Sequence, residues 1–575
     1  MNATSIKHLK VNNLEITQPN EICSAFNNYF SSIGQKLVDL LPVTDDTNGF
    51  ASYMDKPVVN SMFCDPVERG ELVKLITSLN PNKSSGPDDI HPKIVRDVAI
   101  IVAEPLRHIF NLSLTSGVVP DALKVAKVVP VFKKGDAKLA SNYRPISLLS
   151  VFDKILERTV YNRVYGFFIK YNILNQHQFG FRKKHSTVMA LMEVIDKILE
   201  GLDRGEAVAA IYLDLQKAFD TVDHSILLQK LNSYGIRGNI FKWFQSYLSN
   251  RKQFTTINKF NSEPLTVSCG VPQGSILGPL LFLIYVNDIC NVTNEDNINL
   301  FADDTNLLVF GSNEYELANK ATLSMISMSK WFIVNKLSLS VEKSCYTVFP
   351  AKRFGNISIL IDNCKLTPVK TYKYLGVFID DNLKWIDHIE YVYKKIVKYV
   401  GVFYKLRSIL PYECLKNLYF AFIHPHILYA IEVYGTATVS HLNKLAKLNN
   451  KILRILQFKN IRSHVGELYR SFNTLPIFEL YDLQIATVVH KVIHHPDEVP
   501  AIYRDYFALN VEHHNYDTRR KQDIHVVPIK TAYGQRRIRY TGPNAWNQLP
   551  NYLKVPCAVR TFRNKYKVVL TAQIA

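Results

Sequence analysis

Three stretches of this chain predict a protein that mixes buried β-strands with amphipathic helices over two to four domains. Val208 to Leu215 is a near-continuous apolar run, as expected of a central strand covered on both faces. Ile298 to Phe310 reads as a hairpin, two apolar arms around Asp303-Asp304-Thr305-Asn306, whose residue types favour turns. Helical spacing recurs in Val188, Leu191, Ile195, Ile198 and Leu202, and again in Leu317, Ala321, Met325, Met328 and Phe332. With 575 residues, 47% of them hydrophobic, the chain can bury more than one core.

In chain order, Glu21 to Leu40 has a helical pattern through Ile22, Phe26, Tyr29, Ile33 and Leu37, and a polar linker follows from Pro42 to about Pro66. Asp65 is placed to cap a second helix bearing Leu72, Leu75, Ile76 and Leu79. Asn82 to Pro92, N-K-S-S-G-P-D-D-I-H-P, is a loop by composition. Val125 to Phe132 is rich in strand formers and ends in the turn Lys133-Lys134-Gly135-Asp136, while Arg144 is kept out of a helix interior by Pro145. Asp223 is expected to cap a helix with Ile226, Leu227, Leu231 and Tyr234 inward, ended by Gly235. Cys269 to Pro279 holds three glycines and two prolines, which describes a tight backbone passage rather than a helix. The helix through Phe332 is expected to continue over Asn335 to Lys343. From His388 onward, Ile389, Val392, Ile396, Tyr399, Phe403 and Leu406 form one apolar face, with Lys394, Lys395, Lys398, Lys405 and Arg407 elsewhere around it. Such a basic amphipathic helix can track a phosphate backbone. The pattern stays helical from about Pro425 to His495.

A formal charge of +19 and a pI near 9.3 point to a polyanionic partner, nucleic acid first. The eight cysteines show neither C-x-x-C spacing nor a disulfide framework, so a reducing compartment without structural zinc is expected. His490, His494 and His495 read as surface histidines rather than a metal site. The polar start gives no secretory signal, and the apolar stretch Pro279 to Val286 is too short to span a membrane. The expected location is intracellular, in the nucleus, the cytoplasm or both. After Asp523 the chain holds nine basic residues and no acid, interleaved with Tyr540, Trp546 and Phe562. That composition suits nucleic-acid binding, or a tail packed on the preceding helices through Trp546 and Phe562.

Asp214 interrupts its apolar run where a charge needs a partner, and burying Asp303 beside Asp304 is costly without a cation. Magnesium meets that need, since it takes hard oxygen ligands and tolerates several waters. One strand-borne Asp plus an Asp-Asp hairpin is what a two-metal phosphoryl-transfer site requires. These residues also carry a resemblance. Y-L-D-L-Q-K-A-F-D, Tyr212 to Asp220, and F-A-D-D, Phe301 to Asp304, are similar to motifs A and C of reverse transcriptases. N-Y-R-P-I-S from Asn142, Q-F-G-F-R from Gln178 with Ser186-Thr187, G-V-P-Q-G-S-I-L-G-P from Gly270, and Tyr374-Leu375-Gly376 resemble segments of LINE-type (non-LTR) retrotransposon enzymes, especially the jockey-like group. So do Tyr516-Asp517-Thr518-Arg519 and the stretch from Gly542 through Trp546 to Pro550.

The resemblance implies an α+β right-hand polymerase. It has a helical N-terminal extension (1–93), fingers with a ferredoxin-like palm (94–384), a helical thumb (385–480) and a basic C-terminal region (481–575). It implies RNA-directed DNA synthesis, in which a DNA primer 3′-OH is extended on an RNA template with dNTPs. Asp214, Asp303 and the backbone of Leu215 would bind two Mg²⁺, or Mn²⁺ in its place, with Asp304 supporting the site. Lys343 would protonate the leaving pyrophosphate, although Ser340 nearby stands where the family often has Asn. Arg144 with Lys133 or Lys134 would contact the triphosphate, Phe219 would gate against a ribose 2′-hydroxyl, and Gln273 would lie beside the nucleotide and template base. Gln178, Phe179, Gly180, Phe181 and Arg182 would run along the template, the loop Asn82–Pro92 would help hold it, and Tyr374, Leu375 and Gly376 would form the primer grip. Complete LINE-type proteins usually carry an endonuclease, which is expected to lie outside this chain as a further domain or partner. Two alternatives are a catalytically silent nucleic-acid-binding remnant, opposed by intact Asp214, Asp303, Gln273 and Phe219, and a group II intron maturase-like enzyme, opposed by the jockey-like tail.

Overall fold

A computed structural model describes residues 6–11, 14–42, 49–293, 297–350, 357–362, 364–513, 523–529 and 531–574. The strands that position the site are β1 (Val125–Phe132), β2 (Tyr143–Leu148), β3 (Ala207–Leu213), β4 (Lys252–Ile257), β5 (Ile298–Phe301), β6 (Asp304–Gly311), β7 (Cys345–Phe349) and β8 (Thr367–Pro368). The chain is α+β. Its central sheet has the order β8-β7-β3-β6-β5, antiparallel throughout except for the parallel pair β7 and β8. A second sheet joins β2 to β1 antiparallel and β1 to β4 parallel.

The apolar run of β3 has a simple cause: both its faces are covered. Ala207, Ala209, Ile211 and Leu213 enter one core, with the helix Val151–Lys170 and four later helices. Val208, Ala210 and Tyr212 enter another, shared with helix Thr187–Asp203 and with the C-terminal half of the chain. Helix α1 (Pro19–Asp39) lies on the second sheet through Ile22, Cys23, Phe26 and Phe30, while Tyr29, Ile33 and Leu37 are left half-exposed. The other helices used below are α2 (Thr187–Asp203), α3 (His224–Ser233), α4 (Leu277–Tyr285), α5 (Glu314–Val334), α6 (Ile477–His494) and α7 (Val559–Gln573). Under the central sheet, Lys230 of α3 is fully buried and its ammonium donates to Asp288 Oδ1 at 2.7 Å and to the Tyr285 carbonyl at 2.6 Å. Burial pulls the Lys230 pKa down and pushes the Asp288 pKa up, and each charge offsets the other's shift.

Several expectations need correction. Asp65 caps nothing: the second helix runs Arg69–Thr77 with Glu68 at its N-cap, and the Asp65 carbonyl instead accepts from Arg163. Helix α5 stops at Val334 rather than continuing to Lys343. Lys336 takes a left-handed φ of 52°, and Leu339 then bridges to Leu215, so pairing with the end of β3 wins over helix extension. The passage from Cys269 turns helical at Leu277, because Pro279 falls within the first turn, where its missing N–H costs no helical bond. The apolar face after His388 is divided between two helices, Ile386–Val397 and Tyr399–Leu406.

Of the three histidines, only His490 departs from the expected surface position, and His494 and His495 are half-buried. His490 is fully buried and stacks on Phe562 at 4.2 Å, and His494 and His495 bond the carbonyls of Lys554 and Cys557. Trp546 and Phe562 are likewise core residues, which excludes them as stacking platforms and favours the packed tail. Arg537 reaches across to Asp196 and Glu200 of α2, both at 3.1 Å, and Tyr506 donates its hydroxyl to Glu193 of the same helix. Helix α6 runs through position 480, so one helix spans the expected boundary between thumb and C-terminal region. Tyr516–Arg520 and Lys530 lie outside the described residues. Among the described residues no helix is long and apolar enough to cross a membrane.

Candidate active site

Strand β3 ends at Leu213, and Asp214 is the next residue. Its neighbour β6 begins at Asp304, pairs Thr305 with Leu213, and is joined to β5 by the two-residue turn Ala302-Asp303. The register therefore brings Asp214, Asp303 and Asp304 to one end of two adjacent strands. Ala302 has the left-handed φ of 58° that so tight a turn demands. Gln178 braces it from inside, its Oε1 accepting from the Ala302 N–H at 3.0 Å and the Gly180 N–H at 2.8 Å. Gly180 is required there, since a Cβ would stand 2.3 Å from the Ala302 nitrogen.

The loop after α5 lies along Asp214. The Ser340 N–H donates to the Asp214 carbonyl at 2.8 Å, and the Lys343 ammonium stands 3.3 Å from its carboxylate. Asp303 and Asp304 are open to water at the tip of the turn, yet the surrounding walls remove enough solvent to raise both pKa values. Asp304 is pushed up to about 6, by burial first and then by the charges of Asp303 and Asp214. Of the three crowded carboxylates, Asp214 and Asp303 line a cleft of about 630 Å³ whose other lining includes Lys133, Lys134, Arg144, Phe219, Gln273 and Lys343. Lys133, Lys134 and Arg144 are exposed, and among the described residues they enter no ion pair.

Motif geometry explains the glycines between β4 and α4. The N–H groups of Gly270 and Val271 donate to the carbonyls of Val222 and Phe219 at 2.8 Å, so this segment pairs with the turn after Asp214. The Ser147 N–H donates to the Gln273 carbonyl at 2.7 Å, and a Cβ on Gly274, at φ 136°, would meet Ser147 oxygen at 2.3 Å. Phe219 is half-buried, stacked on Phe282 at 4.6 Å and edge-on to Phe181 at 6.1 Å.

Not every expected residue faces the cleft. Gln178 and Phe179 are buried, Gly180 is packed on the catalytic turn, and Arg182 donates to the carbonyls of Asn175 and Gln178. The segment 177–180 pairs beside β5, Arg182 is half-buried, and of the five only Phe181 is exposed. Tyr374 is also core, while Leu375-Gly376 form a tight turn between strands Thr371–Tyr374 and Val377–Asp380, pinned by a 2.5 Å bond from the Tyr429 hydroxyl to the Leu375 carbonyl.

Two residues escaped the sequence reading. Asp220 is held beside Gln273, whose Nε2 donates to Asp220 Oδ1 at 2.9 Å, and burial pushes its pKa up to about 6. Lys217, at a left-handed φ of 49°, turns its ammonium back to the carbonyls of Ser141 and Tyr143 and over the ring of Tyr29. Both lie within Tyr212–Asp220, as charges among apolar neighbours. Tyr29, Ile33 and Leu37 of α1 complete the cleft wall.

Among the described residues, no three His, Cys, Asp or Glu side chains stand close enough to hold a metal ion unaided. The donor set nonetheless fits magnesium, which takes one or two carboxylates and completes its shell with water and substrate phosphates. Asp214 and Asp303 supply carboxylates, and among the described residues no hydrogen bond ends on the Leu215 carbonyl.

Comparison with known proteins agrees with this geometry. Residues 131–379 match the family described as reverse transcriptase (RNA-dependent DNA polymerase). The RNA-directed DNA polymerase from mobile element jockey of Drosophila funebris is 30% identical over 418 residues, which cover 70% of this chain and 45% of that protein. Probable RNA-directed DNA polymerases of Drosophila melanogaster, from transposon BS and transposon X-element, are each 28% identical, over 70% and 73% of this chain and 46% and 47% of theirs. The chain spans about half the length of these curated relatives. By the matched domain and these relatives, the chain carries a reverse transcriptase domain and is similar to the polymerases of jockey-like non-LTR retrotransposons.

Proposed function

We propose that the chain is the polymerase portion of a non-LTR element protein, a right hand that copies RNA into DNA from a primer 3′-OH. The central sheet is its ferredoxin-like palm, the second sheet its fingers, and the helices from Ile386 its thumb. The carrying observation is the convergence of Asp214 and Asp303, with Asp304 next to them, in the cleft that Lys133, Lys134 and Arg144 also line. Asp214, Asp303 and the Leu215 carbonyl would hold magnesium, which lowers the pKa of the primer hydroxyl and neutralises the triphosphate. The 3′-hydroxyl gives up its proton to water as its oxygen bonds to the α-phosphorus and the bond to the pyrophosphate oxygen breaks. Arg144 and the two lysines hold the phosphates by charge-assisted hydrogen bonds. Lys343 stands beside Asp214, and its ammonium would turn to the leaving pyrophosphate and donate its proton. The template partner is RNA, met by Phe181 and the cleft rim, and the Leu375-Gly376 turn grips the primer.

Primer extension by the purified chain on an RNA template, with magnesium and dNTPs, tests this reading. RNA binding without extension would support the silent remnant instead. For Phe219→Ala we expect ribonucleotides to be accepted while DNA synthesis persists; unchanged discrimination between dNTP and rNTP would return Phe219 to the core. Asp220→Ala is expected to lower kcat/KM about fivefold, since a positioning hydrogen bond of about 1 kcal/mol is lost and Gln273 swings free. Asp220→Asn keeps an acceptor and should retain most activity; equal losses in both variants would rule out an orienting role.

A further inference from the structure

Far along the chain from the catalytic residues, a second cleft of about 540 Å³ opens between the helix Tyr412–Phe422, α6 and α7. Its lining contains four cations, Lys491, Arg560, Arg563 and Lys567, and a single acid, Glu498. Among the described residues none of the four enters an ion pair, and only Lys567 has a hydrogen-bond acceptor, the Asn473 carbonyl. Like charges so gathered repel: burial first, then Arg563 and Lys416, hold the Lys567 ammonium below its ordinary pKa. The first turn of α7, Val559 and Arg560, also lines the cleft with no acid in it and no side-chain cap, so unpaired N–H groups add to the positive field. Thr474 lines it too, its buried hydroxyl near that of Tyr419 but outside hydrogen-bond geometry. Beside the cations stand two half-exposed rings, Phe420 and His424, with centroids 5.2 Å apart. No residue lines both this cleft and the polymerase cleft.

We infer that this cleft is a second nucleic-acid site, in which Lys491, Arg560, Arg563 and Lys567 take the phosphates of a single strand and the Phe420–His424 wall takes a base. Cations alone would suit any polyanion; flat rings set beside them select a strand whose bases are free to stack. A duplex would present its phosphates but keep its bases away from those rings. The inference goes beyond the polymerase reading and takes from it only that nucleic acid is the substrate.

The test uses the full chain with its polymerase cleft first saturated by a short primer–template hairpin. Labelled oligothymidylate or oligouridylate is then titrated in at a series of salt concentrations. Wild-type protein should bind a second strand; binding of both oligomers marks a general single-strand site, and binding of one assigns it to DNA or RNA. Each phosphate contact adds about 0.7 to the slope of log affinity against log salt, so Arg560→Gln/Arg563→Gln/Lys567→Gln should lower that slope by about two while hairpin extension is unchanged. Because Arg563 and Lys567 are half-buried, the exposed Arg560→Glu alone is measured beside the triple variant, with melting temperature as control, and should weaken the second event without loss of fold. Oligomers carrying a photoreactive thio-base should crosslink to the peptide that holds Phe420 and His424. Unchanged slopes, crosslinks confined to other peptides, or equal binding of labelled oligoglutamate would each overturn the inference. Failure of the wild-type protein to extend the hairpin would instead refute the polymerase reading, and the second event would then be measured without it.

Discussion

Asp303→Asn is expected to cut magnesium-dependent primer extension by about a thousandfold while leaving RNA binding nearly intact. A lost carboxylate ligand removes roughly 4 kcal/mol of transition-state stabilisation, at about 1.4 kcal/mol per factor of ten. Binding survives because the basic lining of the cleft is untouched. Asn is close in shape to Asp, so the two-residue turn with Ala302 persists and the loss is chemical rather than structural. Single-turnover extension alongside filter binding of the template checks both halves. Extension at the wild-type rate would remove Asp303 from the active site.

The largest effect on stability should come from Lys230→Met. The substitution strands Asp288 beneath the central sheet, fully buried, with the strongest of its partners gone. Breaking a buried pair on one side typically costs about 3–5 kcal/mol, much of it the penalty on the charge left behind. The double variant Lys230→Met/Asp288→Leu removes both charges and should recover most of that loss. Thermal unfolding of the two variants decides the matter: a single variant that melts with the wild type would mean that Asp288 finds another partner or takes up a proton at little cost.

The strands and the meeting of the three aspartates at their ends could be read from the chain because their signals are local. An unbroken apolar run marks a strand buried on both faces, and two acids between apolar arms mark a turn. What could not be read depends on distant partners. The side chain of Gln178 reads as template-facing until the Ala302 N–H claims it from 124 residues away. His490 reads as a surface residue until Phe562 stacks on it. Asn335 to Lys343 reads as helix by composition, yet its place beside Asp214 is set by bridging to Leu215. Lys217 and Asp220 had a signal, charges inside an apolar motif, but only the fold supplies their partners, Tyr143 and Gln273.

The core that β3 shares with α2 and the C-terminal helices bears on how this chain can be dissected. Residues 131–379 are the recognisable stretch, but they are not a separable module. Cut out alone, they would uncover α2 on one side, where the helices Ile431–Tyr434 and Ile538–Asn547 pack on it. On the other they would lose Phe50, Leu72 and Ile76, which fill the opposite core from before residue 131. Asp196 would be left without the guanidinium of Arg537, more than three hundred positions downstream. A fragment trimmed to the recognisable boundaries should therefore aggregate on expression, and recombination between related elements should tolerate crossovers only where both flanks travel with the middle. Homology draws one border around this enzyme; folding draws a wider one.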